Sequence, residues 1–300
     1  MELWIPVTVA AAFCQNLRTA LQKHLTGRLS TLGATSARFI LGLPFAVVTL
    51  ALVAWLGEDP VPVPGPPSLL WGGIGGIAQI LATACLLAAF RYRNFAVGTA
   101  YSKTETVQTA LFAAVILGEG LSGWAAVGIV VSLAGVVALS SARSGLRPRA
   151  LLTAWMERPA LLGIASGALF GISAVCYRAA SLSLDSGGAL VRATTTLLWV
   201  LALQTVVMLL YFAWRDPAQI RLLARHWRWT VWVGLTGMLG SAGWFLAMTL
   251  QQAAYVRALG QVELVFTFAA SVLFFRERTT PTELAGITLV VAGILFLLLG

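Results

Sequence analysis

Ten apolar stretches of about 20 residues each occupy most of this 300-residue chain, and little lies between them. They run over residues 4–24, 31–56, 69–90, 95–117, 121–140, 159–178, 187–213, 229–250, 253–275 and 281–300. A helix rises about 1.5 Å per residue, so each run is long enough to cross the hydrocarbon core of a bilayer. In that core every backbone N–H and C=O must find a partner within the protein, and a helix supplies one by itself. The expected fold class is therefore an all-α membrane protein with ten transmembrane helices. The charge content agrees: 10% of residues are charged, against about 25% in a soluble domain. The opening Met1-Glu2-Leu3-Trp4 lacks a cationic leader, and Gln15, Asn16 and Arg18 interrupt the first run. That run therefore reads as a retained helix rather than a signal peptide.

The chain repeats itself. Residues 96–140 slide onto 254–298 without a gap, and 11 of 45 positions are identical, among them Glu105/Glu263, Thr109/Thr267, Glu119/Glu277, Gly128/Gly286 and Gly135/Gly293. The same shift pairs Trp71 with Trp229 and Gly76 with Gly234, and a shift of 154 pairs Gly33 with Gly187 and Arg38 with Arg192. Two halves are expected, 1–150 and 151–300, each a five-helix repeat. Five is odd, so the second copy must enter the membrane from the opposite side. Two inverted five-helix repeats are an architecture of secondary transporters, in which the halves rock about a midplane site.

The formal net charge is +9. The cations crowd into the odd-numbered loops: Lys23, Arg28, Arg91, Arg93, Arg143, Arg147, Arg149, Arg158, Arg215, Arg221, Arg225, Arg228, Arg276 and Arg278, with Arg178 alone in an even-numbered one. This distribution points to orientation and contact with anionic lipid rather than to nucleic acid. It places the odd loops in the cytoplasm and both termini outside. Cys14, Cys85 and Cys176 lie inside apolar runs, and His24 and His226 are far apart, so no disulfide, metal or cofactor set is expected. No GxxxxGK[ST] loop occurs, so no direct ATP drive is encoded.

Ala37-Arg38-Phe39 early in the second run, Gly118-Glu119 and Arg276-Glu277-Arg278 after the fourth and ninth, and the glycines of the fifth and tenth carry a resemblance along essentially the whole chain. The sequence resembles the drug/metabolite transporter superfamily, specifically its EamA-type members. The resemblance implies a non-enzymatic transporter of small metabolites in a bacterial inner membrane, amino acids and related compounds included. It also implies cytoplasmic termini, opposite to the charge count.

Five cations lie inside the runs, Arg18, Arg38, Lys103, Arg192 and Arg257, and two acids, Glu105 and Glu263. Charges in hydrocarbon cost at least about 2.5–3.5 kcal/mol each and tend to face a cavity or a partner. Gln15, Arg18, Thr19 and Gln22 share one helical face, fit for substrate or for an interhelical hydrogen-bond seam. Thr99, Ser102, Thr106 and Thr109 share another, edged by Lys103 and Glu105, and a helix this polar is expected to line a cavity. Candidate substrate contacts are Gln15, Arg18, Arg38, Tyr101, Lys103, Arg257, Gln261 and Trp244. Arg192 and Arg257 have snorkelling to the interface as an alternative. Glu105 and Glu263 are the candidate proton-coupling pair, because desolvation favours the protonated form of a carboxyl; a permanent ion pair with a neighbouring cation is the alternative. The cation excess suggests a small polar metabolite bearing a carboxylate or phosphate, most simply an amino acid or related organic acid. The competing classes are a membrane-embedded lipid-modifying enzyme and a lipid-linked-sugar flippase.

The loop charges make topology testable. A cysteine introduced in residues 58–67 should react with an impermeant thiol reagent added outside the cell, and one in the 143–158 linker should react only after permeabilisation. The reverse pattern would invert the orientation.

Overall fold

The computed structural model describes residues 2–25, 28–57, 59–89, 101–144, 156–273 and 280–299. Thr99, Glu277, the loop cations Arg91, Arg93, Arg147, Arg149, Arg276 and Arg278, and most of the mid-chain linker lie outside the described residues. The helices are α1 Trp4–Leu25, α2 Thr31–Ile40, α3 Gly42–Leu56, α4 Pro66–Ala89, α5 Glu105–Leu117, α6 Gly123–Ser144 and α7 Arg158–Leu182. They continue with α8 Ala189–Arg215, α9 Ala218–Arg225, α10 Trp227–Leu250, α11 Ala253–Leu259, α12 Val262–Leu273 and α13 Pro281–Leu298. Among the described residues, seven helical segments are long and apolar enough to cross a membrane. The protein is thus an integral membrane protein with an all-helical body.

Ten unbroken helices are not what forms. The run 31–56 is divided at Leu41. Pro44 has no N–H to bond the carbonyl of Ile40, and its ring crowds that carbonyl. The run 253–275 is divided at Gly260-Gln261, where Gln261 N–H reaches back three residues to Ala258 O (3.1 Å) and Glu263 N–H to Gly260 O (3.1 Å). Such tightened steps belong to 3₁₀ rather than α geometry. In the run 95–117, α5 begins only at Glu105; Lys103 and Thr104 form a turn, with Thr104 N–H again reaching back three residues, to Tyr101 O (3.1 Å). The basic stretch after α8, expected as loop, contains the short amphipathic α9, which buries Gln219 and Leu223. Arg178, expected in a loop, lies inside α7.

The chain packs as two compact units, Met1–Ile77 with Cys176–Gln251 and Ala78–Val175 with Gln252–Gly300, so each draws on both sequence halves. In the first unit α1 lies along α10. A side chain at Gly243 would come within 2.8 Å of Ala11 Cβ, and one at Gly240 within 3.5 Å of Ala11 O. Ser30 caps α2 by accepting from Gly33 N–H (3.0 Å), and Gln219 of α9 accepts from Ser30 N–H (3.1 Å). Leu25, Leu29, Ala34, Ala37, Leu223 and Val233 close a small core beside this cap. Arg178 Nη1 donates to Met248 O and Gln251 O, both at 2.7 Å. It thereby satisfies carbonyls that the end of α10 leaves open.

In the second unit α6 and α13, which the repeat makes equivalent, cross antiparallel through their glycines. Gly128 faces Gly293 and Gly135 faces Gly286; a Cβ on Gly128 or Gly135 would stand 2.6 Å from the opposite carbonyl oxygen. Small residues at matched positions let the backbones meet, where lipid offers no hydrophobic drive for association. Because these obstacles are backbone atoms, Gly135→Ala should destabilise the protein by about 1–3 kcal/mol. Gly120→Ala, where nothing lies within 4 Å, should change stability by less than about 0.5 kcal/mol. Thermal unfolding in detergent measures both.

Candidate functional site

The structure places the ten candidate residues in two groups. Gln15, Arg18, Arg38 and Trp244 belong to the first unit; Tyr101, Lys103, Glu105, Arg257, Gln261 and Glu263 belong to the second.

In the first unit the polar face of α1 turns toward protein. Gln15 Oε1 accepts from Trp244 Nε1 (3.2 Å) on α10, and Gln22 Nε2 donates to Ala34 O (3.0 Å) on α2. Both bonds fit the seam reading of that face. Thr19 back-bonds to Gln15 O (2.8 Å) and is exposed. Arg18 and Arg38 converge on Gly237 of α10: a Cβ there would be 3.3 Å from Arg18 Cδ and 3.0 Å from Arg38 Cβ. Sequence reading did not single out Gly237, whose missing side chain is what admits both arginines. Arg38 is 9% exposed and stacks over the Phe39 ring at 4.4 Å. Among the described residues of this unit the acids Glu2, Asp59, Asp185 and Asp216 all stand outside the helices, so the described helical spans carry cations and no carboxylate.

The second unit holds the denser constellation. Lys103 Nζ contacts Glu263 Oε1, and Arg257 Nε lies 3.0 Å from Glu105 Oε1. Gln261 Nε2 donates to Thr106 Oγ1 (3.1 Å). The two ion pairs cross between the halves, each joining an acid from one repeat to a cation from the other, and they cancel to zero formal charge. All four groups stand at the helix interruptions. Glu105 opens α5 and Glu263 lies in the first turn of α12, where the positive end of the helix dipole favours a carboxylate; Arg257 lies in the last turn of α11, where a cation is favoured. Under the repeat shift Lys103 matches Gln261, so the interruptions at 103–104 and 260–261 overlap at that position. Side-chain exposures of 24% for Lys103, 15% for Glu263, 15% for Arg257 and 17% for Glu105 leave the cluster partly open within an apolar setting.

Ser102, Thr106 and Thr109 are buried, so this face does not line a cavity along its length. Thr109 sits against Gly171 of α7, and Gly167 against Ser102 O and Glu105 N. Thr109 Oγ1 bonds locally, donating to Glu105 O (2.7 Å). Arg257 does not snorkel; it pairs with Glu105. Tyr101 is half-buried at the end of the turn that leads into Lys103. Among the described residues no set of three His, Cys, Asp or Glu could hold a metal ion.

An all-helical membrane body, a duplicated pattern, and charged side chains gathered at matched helix interruptions define a membrane transporter of the drug/metabolite type. A family model described as the EamA-like transporter family matches residues 2–141 and again 158–299, and the chain belongs to that family. A solved chain named only "Crystal structure of protein" aligns with a TM-score of 0.75 at 17% identity, covering 99% of this chain and 96% of its own. That likeness shows the shared fold. No curated protein sequence matches the chain.

The crossed pairs make a stability prediction. Removing one partner strands a charge, so Glu105→Gln should cost up to about 3–5 kcal/mol, the range for a broken buried pair, less what partial exposure returns. The double variant Glu105→Gln with Arg257→Gln should recover much of the loss. Thermal unfolding of the two singles and the double measures the coupling.

Proposed function

We propose that the protein is a secondary active transporter that moves a small carboxylate-bearing metabolite, an amino acid or related organic anion, by alternating access, coupled to protons through at least one of the two glutamates at its helix interruptions. The observation that carries this reading is the pair of repeat-matched interruptions bearing Lys103, Glu105, Arg257, Gln261 and Glu263. Interrupted helices at corresponding positions of two repeats are where secondary transporters bind substrate and coupling ions. The antiparallel crossing of α6 and α13 is what an inverted repeat produces.

The preference for a carboxylate comes from charge. The four charges of this cluster cancel, so the excess among the expected in-span cations falls to Arg18, Arg38 and Arg192 of the first unit. Arg18 and Arg38, with Gln15 and Trp244 beside them, offer guanidinium and amide donors to an anionic group. In the second unit Lys103 and Gln261 are the donors best disposed to a ligand. A bare organic cation would meet unfavourable charge at the first group and none to attract it at the second.

A binding titration with matched ligands tests this reading: an amino acid, its carboxamide, and a quaternary amine of similar size. The amino acid should bind best. At least one of Arg18→Gln and Lys103→Gln should weaken it about ten- to a hundredfold, the worth of one charge-assisted hydrogen bond. Preference for the amine, or unchanged binding in both variants, would refute the carboxylate reading.

A further inference from the structure

We infer that of the two repeat-related glutamates only Glu263 carries the coupled proton, and that a substrate carboxylate and this proton bind together, one for one, by exchange at Lys103. The inference rests on the preceding reading that the substrate bears a carboxylate.

An anion added to a neutral cluster in an apolar setting must bring or find a compensating charge. One of the two cations can release its acid and turn to the newcomer. Lys103 is suited to this. It sits in a turn rather than within a helix, and it is the most exposed of the four. Its ammonium is a point charge on a flexible stem with three rotatable donors. Arg257 is set in α11 between the buried Val256 and Ala258, and its planar guanidinium has a fixed direction of approach. The repeat does not supply a second mobile cation, because the position matching Lys103 is Gln261, neutral and hydrogen-bonded to Thr106. Similarity between the halves therefore ends at the residue on which the exchange depends.

When Lys103 turns to the substrate carboxylate, Glu263 loses its counter-ion. A proton from water then forms an O–H bond on its carboxyl, while Lys103 remains an ammonium. For a substrate with one net negative charge, the ammonium, the substrate carboxylate and protonated Glu263 again sum to zero on the Lys103 side. On the other side Glu105 keeps Arg257. The remaining charged groups of the packed helices stand at helix ends. Glu157 and Arg158 precede or begin α7, nine or more residues before the Gly167 that faces Glu105, which is at least about 13 Å along the axis. Glu119 follows α5, and Glu283 is engaged in the capping box of α13. None of them is placed to replace Lys103 as the counter-ion.

Calorimetry in two buffers of different ionisation enthalpy decides the matter, using the purified full-length protein. The probes are the proteinogenic amino acids and small mono- and dicarboxylates. The best-binding probe should take up about one proton, so its affinity should fall about tenfold for each unit rise in pH. Glu263→Gln should bind at least as tightly as the wild type near neutrality, with no proton uptake and a flat pH profile. Glu105→Gln, or Glu105→Asp if the first does not fold, should keep the uptake of one proton. In the wild type alone, infrared difference spectra should gain a protonated-carboxyl band on binding, which keeps the test decisive if Glu263→Gln is unstable. Binding without proton uptake or without that band, uptake retained in Glu263→Gln, or uptake lost in the Glu105 variant would overturn the inference while leaving carboxylate transport standing. If no carboxylate probe binds, the proposed function fails and this inference with it.

Discussion

Hydrocarbon cannot hydrogen-bond a backbone, and the rest of this structure follows from that. Each interruption of a helix leaves N–H and C=O groups that water would satisfy elsewhere and lipid cannot. The protein answers several of them with partners of its own. At Gly260-Gln261 and before α5 the chain tightens into three-residue steps. At the end of α10 the Arg178 guanidinium takes two carbonyls at once. At the start of α13 Thr280 and Glu283 cap reciprocally. Interruptions are costly in this medium, and the two that overlap under the repeat carry the clustered charges.

Charge obeys the same economy of partners. Ionised groups in an apolar setting persist when their counter-ions are close and geometrically fixed. Crossing the two ion pairs between the halves ties the repeats together at their interruptions while keeping the cluster neutral. Glu105 and Glu263 match under duplication, yet one faces an arginine held in a helix and the other a lysine in a turn. A duplicated scaffold with unequal counter-ions can give its two acids different work.

The closest helix crossings rest on glycine rather than on large apolar side chains. Leu, Val and Trp are abundant on the outer surface, with Trp55 and Trp214 about four-fifths exposed, as expected where lipid is the solvent. Where helices must meet, at Gly128, Gly135, Gly286 and Gly293, the side chain is absent and backbones touch. The same device admits Arg18 and Arg38 against Gly237. Glycine thus serves both the framework and the candidate site.

The sequence by itself determined the membrane class, the duplication and most helix limits, because about 20 apolar residues in lipid have one stable outcome; α1, α4, α6, α7, α8, α10 and α13 lie within four residues of the expected runs. It also singled out the in-span charges, since a charge among apolar residues stands out in any reading. It did not reveal that Gly260-Gln261 divides a helix, because a glycine within an apolar run is compatible with a continuous one. Nor did it decide that Lys103 meets Glu263 and Arg257 meets Glu105, or that Arg178 caps α10 instead of standing in a loop. Those partnerships join residues 70 to 160 positions apart. Only tertiary packing chooses them, because the energy of an ion pair or a cap depends on a few ångströms of separation that local sequence does not encode.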